Sequence, residues 1–505
     1  MEKISKKIKQ NIYKWHRTLG IITLIPALFW SLSGVMHPFM SHLFKPEIAH
    51  DKIAFQPIDK TKLIFSLQTV LSKNKINQFK NFRIVTIDTA TYYQVRTIFS
   101  DYRYFNTQTA TELPKGDLVY AEYLSRYFLD DQKSKIESIQ EITEFSTQYK
   151  YINRYLPVYK VTFNRNDNVD VYVETNSSKL ATFNPTSRKL FLEIFDIFHS
   201  WGFIDAISNN YIRISIMLLL LSIISFSALS GLVIYGFFYK QFRKVDANTK
   251  TTTTRKYHRK IGVFISFFTL LFAFSGGYHA IQKWKPNPIQ KMVYDPIIKV
   301  SEIKTTPNQL NINWKNISNL SLIKQNDSIF YQCQFLSEED KEGKRNLSTE
   351  FINEKTNLKQ PNKQIDYALF LAKKFVLMQA DEKASCCEVD EKMPSELSDA
   401  KLLKTDILDD FDKREYGFVN KRLPVVKLEF GTSEKTTYYI DTNSSQLAAR
   451  ITNAERNEGL SFAFLHKFLY MDWAGKTIRD LFSVIIALII AVVSVLGLKL
   501  FLKTK

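Results

Sequence analysis

Residues 13–37 read YKWHRTLGIITLIPALFWSLSGVMH, and residues 255–279 read RKYHRKIGVFISFFTLLFAFSGGYH. Each stretch carries one histidine ahead of an apolar run and another 21 residues later: His16 and His37, then His258 and His279. A run of about 20 apolar residues, rising about 1.5 Å each, crosses roughly 30 Å of hydrocarbon. Two further runs meet the same length, and none of the four has an Asp, Glu, Lys or Arg in its middle. The expected spans are 18–38, 212–238, 261–281 and 481–502. The first is too long for a secretion signal, and no small-x-small cleavage site follows it, so it reads as an uncleaved anchor.

The formal charge of +19 in 505 residues invites a nucleic-acid reading. Its distribution excludes one. Residues 1–17, 239–260 and 499–505 together carry +15 of the +19, each segment flanking an apolar run. A nucleic-acid binder gathers charge on a folded face; cytoplasmic loops of membrane proteins gather it beside spans. The expected topology therefore has a cytoplasmic N-terminus (1–17), an outer segment 39–211, a cytoplasmic basic loop 239–260, an outer segment 282–480 and a cytoplasmic tail 503–505. The outer segments read as α+β: residues 60–73 and 116–130 have helical periodicity, and 83–88, 92–99, 157–163 and 170–174 alternate as strands.

The chain repeats itself. Beyond the opening pair, at offset 242, LPVYKVTF (156–163) matches LPVVKLEF (423–430), and VYVETNSSKLA (171–181) matches YYIDTNSSQLA (438–448), both at offset 267. FHSWGFID (198–205) aligns with LHKFLYMD (465–472), and Arg213 and Gly231 align with Arg479 and Gly497. Six of the eight histidines fall into three pairs: His16/His258, His37/His279 and His199/His466. On an ideal helix, residues 21 apart differ by about 60° around the axis and lie about 31 Å apart along it, so each span would point one histidine inward near each leaflet. Gly34 and Gly276, and Gly20 and Gly262, lie one turn from these histidines and would leave room for a flat macrocycle or a neighbouring helix.

Imidazole is an axial ligand of haem iron, and helix bundles build cofactor sites from facing helices. Two parallel halves imply a pseudo-twofold axis along the membrane normal. Across it His16 and His258 would hold an inner haem b, and His37, His199, His279 and His466 at least one more. A lone interfacial histidine is more often a hydrogen-bonded boundary residue; here most side chains of the two halves have diverged and these three positions have not. Arg213 and Arg479 would meet lipid head groups or propionates, and Asp205 and Asp472 would cap helices. Phe29 and Trp30 would pack the bundle or assist electron transfer. Cys333 could pair with Cys386 or Cys387, and no C-x-x-C occurs.

The span-opening WHRTLGI and YHRKIGV, the span-closing SG-x-x-H, the pre-span FHSWG and the outer TNSS hairpins resemble the PepSY-associated transmembrane family, which includes iron-regulated inner-membrane proteins and ferric-siderophore reductases. The resemblance covers nearly the whole chain. Ser178 and Ser445 stand where the family's hairpin has glycine, and FHSWG and LHKFL depart from its Leu-His-x-Gly form. What the resemblance implies is a four-helix bundle from two parallel repeats with two periplasmic PepSY-like α+β domains. It also implies haem b held by transmembrane histidines and electron delivery to a periplasmic ferric siderophore. No GxGxxG and no flavin-sized cytoplasmic segment occurs, so the electron donor would be a separate cytoplasmic flavoprotein or a quinol. The expected location is a bacterial inner membrane with lipid contact and no nucleic acid. The rival reading is a non-redox membrane protein that binds or inhibits a periplasmic peptidase. A transporter fits less well, because the spans lack central charges and broken-helix signals.

Overall fold

Pro26 decides the course of the first apolar run. Proline lacks the N–H that would bond the carbonyl four residues back, here Ile22, and its ring crowds that carbonyl. In the computed structural model the run is two helices, Glu2–Ile22 and Leu24–His42, bent by 56° at their junction. Thr23 occupies the break, its hydroxyl donating to the Leu19 carbonyl at 2.8 Å. The straight first span expected from sequence is corrected accordingly. Phe268 stands at the equivalent place in the second half, and that helix continues unbroken from Thr253 to Gln282.

The structure describes residues 2–42, 48–54, 57–247, 253–284, 292–336, 347–384, 400–412 and 415–503. Its α-helices in chain order are α1 (Glu2–Ile22), α2 (Leu24–His42), α3 (Leu67–Lys73), α4 (Gly116–Leu129), α5 (Thr186–Phe195), α6 (Phe203–Ile207), α7 (Asn210–Ala247), α8 (Thr253–Gln282), α9 (Lys363–Ala384), α10 (Asn453–Ser461) and α11 (Lys476–Lys503). Among the described residues three helices are long and apolar enough to cross a membrane, and the bent α1–α2 pair makes four if it is one span. The chain is a membrane protein with α+β parts.

Its contacts divide it into two units. The first comprises Met1–Lys45, Thr186–Asn287 and Ala454–Lys505 and is helical. In it α7 lies along α1 and α8, while α11 lies along α2 and α8. Short returns of chain pack back on these helices: α5 and the π-turn Asp196–Ser200 on α2, and the π-turn Phe462–His466 on α8.

The second unit comprises Pro46–Pro185 and Pro288–Asn453. Its strands are β1 (Gln78–Phe79), β2 (Asn81–Ile87), β3 (Ala90–Arg96), β4 (Tyr102–Asn106), β5 (Lys135–Ile142), β6 (Val158–Asn164), β7 (Asp170–Glu174), β8 (Lys179–Asn184), β9 (Ile298–Lys299), β10 (Ile317–Gln325), β11 (Ser328–Leu336), β12 (Leu347–Asn353), β13 (Leu402–Leu408), β14 (Val425–Phe430), β15 (Thr437–Asp441) and β16 (Gln446–Ile451). They form antiparallel sheets β2-β3-β4, β5-β6-β7-β8, β10-β11-β12 and β13-β14-β15-β16. β1 pairs with β9, Gln78 opposite Lys299, and one core joins Leu67, Phe79 and Tyr93 to Ile298, Leu320 and Tyr331. The two outer segments expected as separate domains thus share a hydrophobic core.

β7 shows why these strands read as nearly continuous apolar runs. Val171 and Val173 face Tyr120, Leu124 and Phe128 of α4, while Tyr172 turns the other way and stacks on Tyr149 at 4.8 Å. Successive side chains point to opposite faces, and both faces are covered. The expected helix 60–73 is instead a 3₁₀ turn (Lys60–Lys62) followed by α3, because Ser66 accepts the Thr69 N–H as an N-cap and restarts the helix. The strand expected over 92–99 ends at Arg96, where Thr97 enters a turn closed on Asp101.

Candidate functional site

His16 on α1 and His258 on α8 stand side by side in the helical unit, ring centres 6.3 Å apart and planes inclined by 51°. His16 Nδ1 is 3.0 Å from the Ser227 carbonyl and 3.1 Å from Ser230 Oγ. His258 Nδ1 is 3.2 Å from the Val493 carbonyl. A carbonyl can only accept, so each Nδ1 carries the proton and each Nε2 keeps its lone pair. That is the tautomer a metal ligand needs, fixed from behind by backbone.

Glycine lets the two rings lie against the facing helices. A Cβ on Gly231 of α7 would sit 3.0 Å from His16 Cε1, and one on Gly497 of α11 would sit 3.3 Å from His258 Cε1. Around Gly20, Gly34, Gly262 and Gly276, where the sequence leaves room for a macrocycle or a neighbouring helix, an added Cβ meets nothing closer than 3.9 Å. The ideal-helix spacing needs correction, since it holds within α8 but the bend at Thr23 separates His16 from His37.

At the other end of the spans the histidines come with phenylalanines. His199 and His466 each lie in a π-turn, an irregularity frequent at functional sites. Ser33 Oγ donates to the Phe29 carbonyl at 2.6 Å and lies 3.0 Å from His199 Nδ1. Ser275 Oγ does the same with the Leu271 carbonyl at 2.7 Å and His466 Nδ1 at 3.1 Å. With each hydroxyl proton committed to a carbonyl, the serine oxygen accepts from Nδ1. The Trp30 indole donates to the His199 carbonyl at 3.0 Å and stacks on Trp201.

Phe195 lies against His199 at 4.5 Å and His37 at 5.6 Å; Phe462 lies against His466 at 4.6 Å and His279 at 4.5 Å. His279 Nδ1 is 2.5 Å from Glu458 Oε1. Phe191 occupies the equivalent of Glu458 in the first half, so this carboxylate is an asymmetric addition. His37 is exposed. Burial, with His199 and His279 as neighbours, lowers the His466 pKa to about 3 and keeps the ring neutral.

These residues fit haem. Two imidazoles on opposite sides of one ion, with metal–nitrogen bonds of about 2.0 Å, have ring centres roughly 6 Å apart, and the His16–His258 pair has that spacing. Among the described residues no cluster of three or more His, Cys, Asp or Glu side chains could hold a bare metal ion.

Several neighbours took other roles than expected. Asp205 is no cap: it lies in the first turn of α6 and pairs with Arg213 Nε at 2.8 Å. Asp472 pairs with Arg479 in the same way. Arg213 and Arg479 are thus ion-paired within the protein. Cys333 is a fully buried free thiol; Cys386 and Cys387 lie outside the described residues, and so does their proposed pairing. Ser33 and Ser275 stand in the repeated SG-x-x-H, whereas Glu458 has no counterpart in the repeat.

No curated protein matches the chain. The PepSY-associated TM region matches residues 89–504, and on that extent the chain belongs to the PepSY-associated transmembrane family.

Proposed function

We propose that this is a di-haem b reductase of the bacterial inner membrane, passing electrons outward to a periplasmic ferric siderophore. In this reading four spans form a bundle of two parallel repeats. Both termini and the basic loop 239–260 face the cytoplasm, because the +15 concentrated in those segments is costly to translocate. His16 and His258 hold the inner haem, and the outer haem draws its ligands from His37, His199, His279 and His466. Bound there, haem supplies one-electron transfer.

The observation that carries the reading is the His16–His258 pair, with both Nδ1 atoms anchored on backbone and both Nε2 atoms left open. Ser33, Ser275 and Glu458 hold the outer rings by the same device. Reducing Fe(III) to Fe(II) weakens its hold in hard-oxygen chelators, which is why a reductase frees siderophore iron. Electrons come from a separate flavoprotein or from a quinol.

An absorption spectrum of the full chain, purified in detergent from haem-replete cells, tests this directly. The expected result is a Soret band with low-spin features and two haems per chain by pyridine haemochrome. Protein with no Soret band would contradict the reading and favour peptidase binding or inhibition by the PepSY-like segments.

A further inference from the structure

We propose that the cleft of the second unit where β2 lies beside β10 binds a small hydroxycarboxylate, through a carboxylate and the neighbouring hydroxyl. The proposal is independent of haem binding. The cleft is lined by Lys80, Arg83, Arg96 and Lys324, against one acid, Asp295. Asp295 is shared by Lys80 at 3.0 Å and Arg96 at 3.2 Å, and Lys324 reaches out to Glu302 at 3.0 Å. The terminal nitrogens of Arg83 donate to the Asn176 carbonyl and the Ser178 hydroxyl, both neutral. The lining is left with excess positive charge, as an anion site requires.

Polar atoms without partners supply the second observation. The Nε donors of Arg83 and Arg96 are buried and have no hydrogen-bond partner. Gln94 is 1% exposed, and its Oε1 has none either. Its amide is not free to flip, since Nε2 donates to Tyr104 Oη at 2.6 Å and the Thr175 carbonyl at 3.1 Å. Asn319 Oδ1 is likewise open. Buried polar groups are rarely left so, and each calls for a partner.

The second half of the same unit provides an internal control. Arg83 sits opposite Gln94 across the β2–β3 ladder, and Ser321 sits opposite Gln332 across the β10–β11 ladder. Gln332 Nε2 donates to the Thr442 carbonyl at 3.1 Å, matching Gln94 and Thr175, but Gln332 Oε1 accepts from Ser321 at 3.1 Å. Arginine in place of that serine leaves the first-half acceptor open and adds a cation beside it.

Cationic donors call for a carboxylate, and a neutral amide acceptor calls for a hydroxyl. The cavity is about 40 Å³; a single water needs about 10–15 Å³ on that measure, so there is room for one anionic head with its neighbouring hydroxyl.

Isothermal titration of the full chain in detergent at low salt tests this with citrate, with tricarballylate (citrate lacking the hydroxyl) and with inorganic phosphate. Citrate should bind saturably and at least tenfold more tightly than tricarballylate or phosphate. Arg96→Gln should weaken citrate at least tenfold, and Lys324→Gln severalfold. Asp295→Asn removes the competing carboxylate and should strengthen binding at least threefold, a gain that misfolding cannot imitate. Three results would overturn the proposal: no saturable citrate binding, as for a cleft filled only by water; phosphate binding as tightly as citrate; or an Asp295→Asn affinity equal to or below the parent's.

Discussion

A histidine binds a metal through whichever ring nitrogen its surroundings leave unprotonated, so the groups behind the ring matter as much as the ring. For His16 and His258 those groups are backbone carbonyls and two glycines on facing helices. Gly231→Val would push His16 off α7, and the inner haem should bind at least about tenfold more weakly. Gly34→Val is the control, since an added Cβ there meets nothing within 4 Å. Haem per protein, titrated for both variants, checks the contrast. With haem held by His279 as proposed, the Glu458 carboxylate would act on that ring as the carbonyls act on His16, raising ligand basicity and favouring the ferric state. Glu458→Gln should therefore raise the midpoint potential of the outer haem and leave the inner one unchanged, as read by redox titration in the visible spectrum. The repeat made six histidines and both serines legible. It could not reveal Glu458, whose counterpart is a phenylalanine, and it aligned Gly231 with Gly497 without showing that each lies against a histidine of a facing helix.

Apolar length pointed to the three helices long enough to cross a membrane and to the bent pair that makes a fourth if it is one span. The bend was also written in the sequence, as Pro26 inside an apolar run, so the expectation that the spans lack broken-helix signals is corrected for the first of them; the second half, with Phe268 there, keeps its helix intact. The π-turns around His199 and His466 were not legible; an extra residue in a helical turn has no compositional mark. Strand ends in the second unit were set by turns rather than propensity. There the ends of β7 and β15 supply Glu174 and Asp441, and Arg422 lies between them at 2.9 and 3.4 Å, 4% exposed, with the Tyr155 ring 4.8 Å away. Arg422→Ala leaves two buried carboxylates facing each other and should cost about 3–5 kcal/mol. A lowered unfolding midpoint for this unit, followed by tyrosine fluorescence, is the check; an unchanged midpoint would make the triad energetically neutral.

For the molecule as a whole, charge placement was the most informative global quantity, since it moved +15 of +19 from the question of partners to that of topology. The shared core of the two outer segments was not readable, because β1 and β9 are two residues each and their pairing spans more than 200 residues of chain. The proposed electron transfer rests on one arrangement, a haem held jointly by His16 and His258, and haem counts in His16→Ala, His258→Ala and the double variant test it most directly. If the two rings serve one iron, each single variant loses the same one of two haems, and the double variant loses no more than either. Full haem content in His258→Ala would contradict the account and leave the pair as two hydrogen-bonded boundary residues.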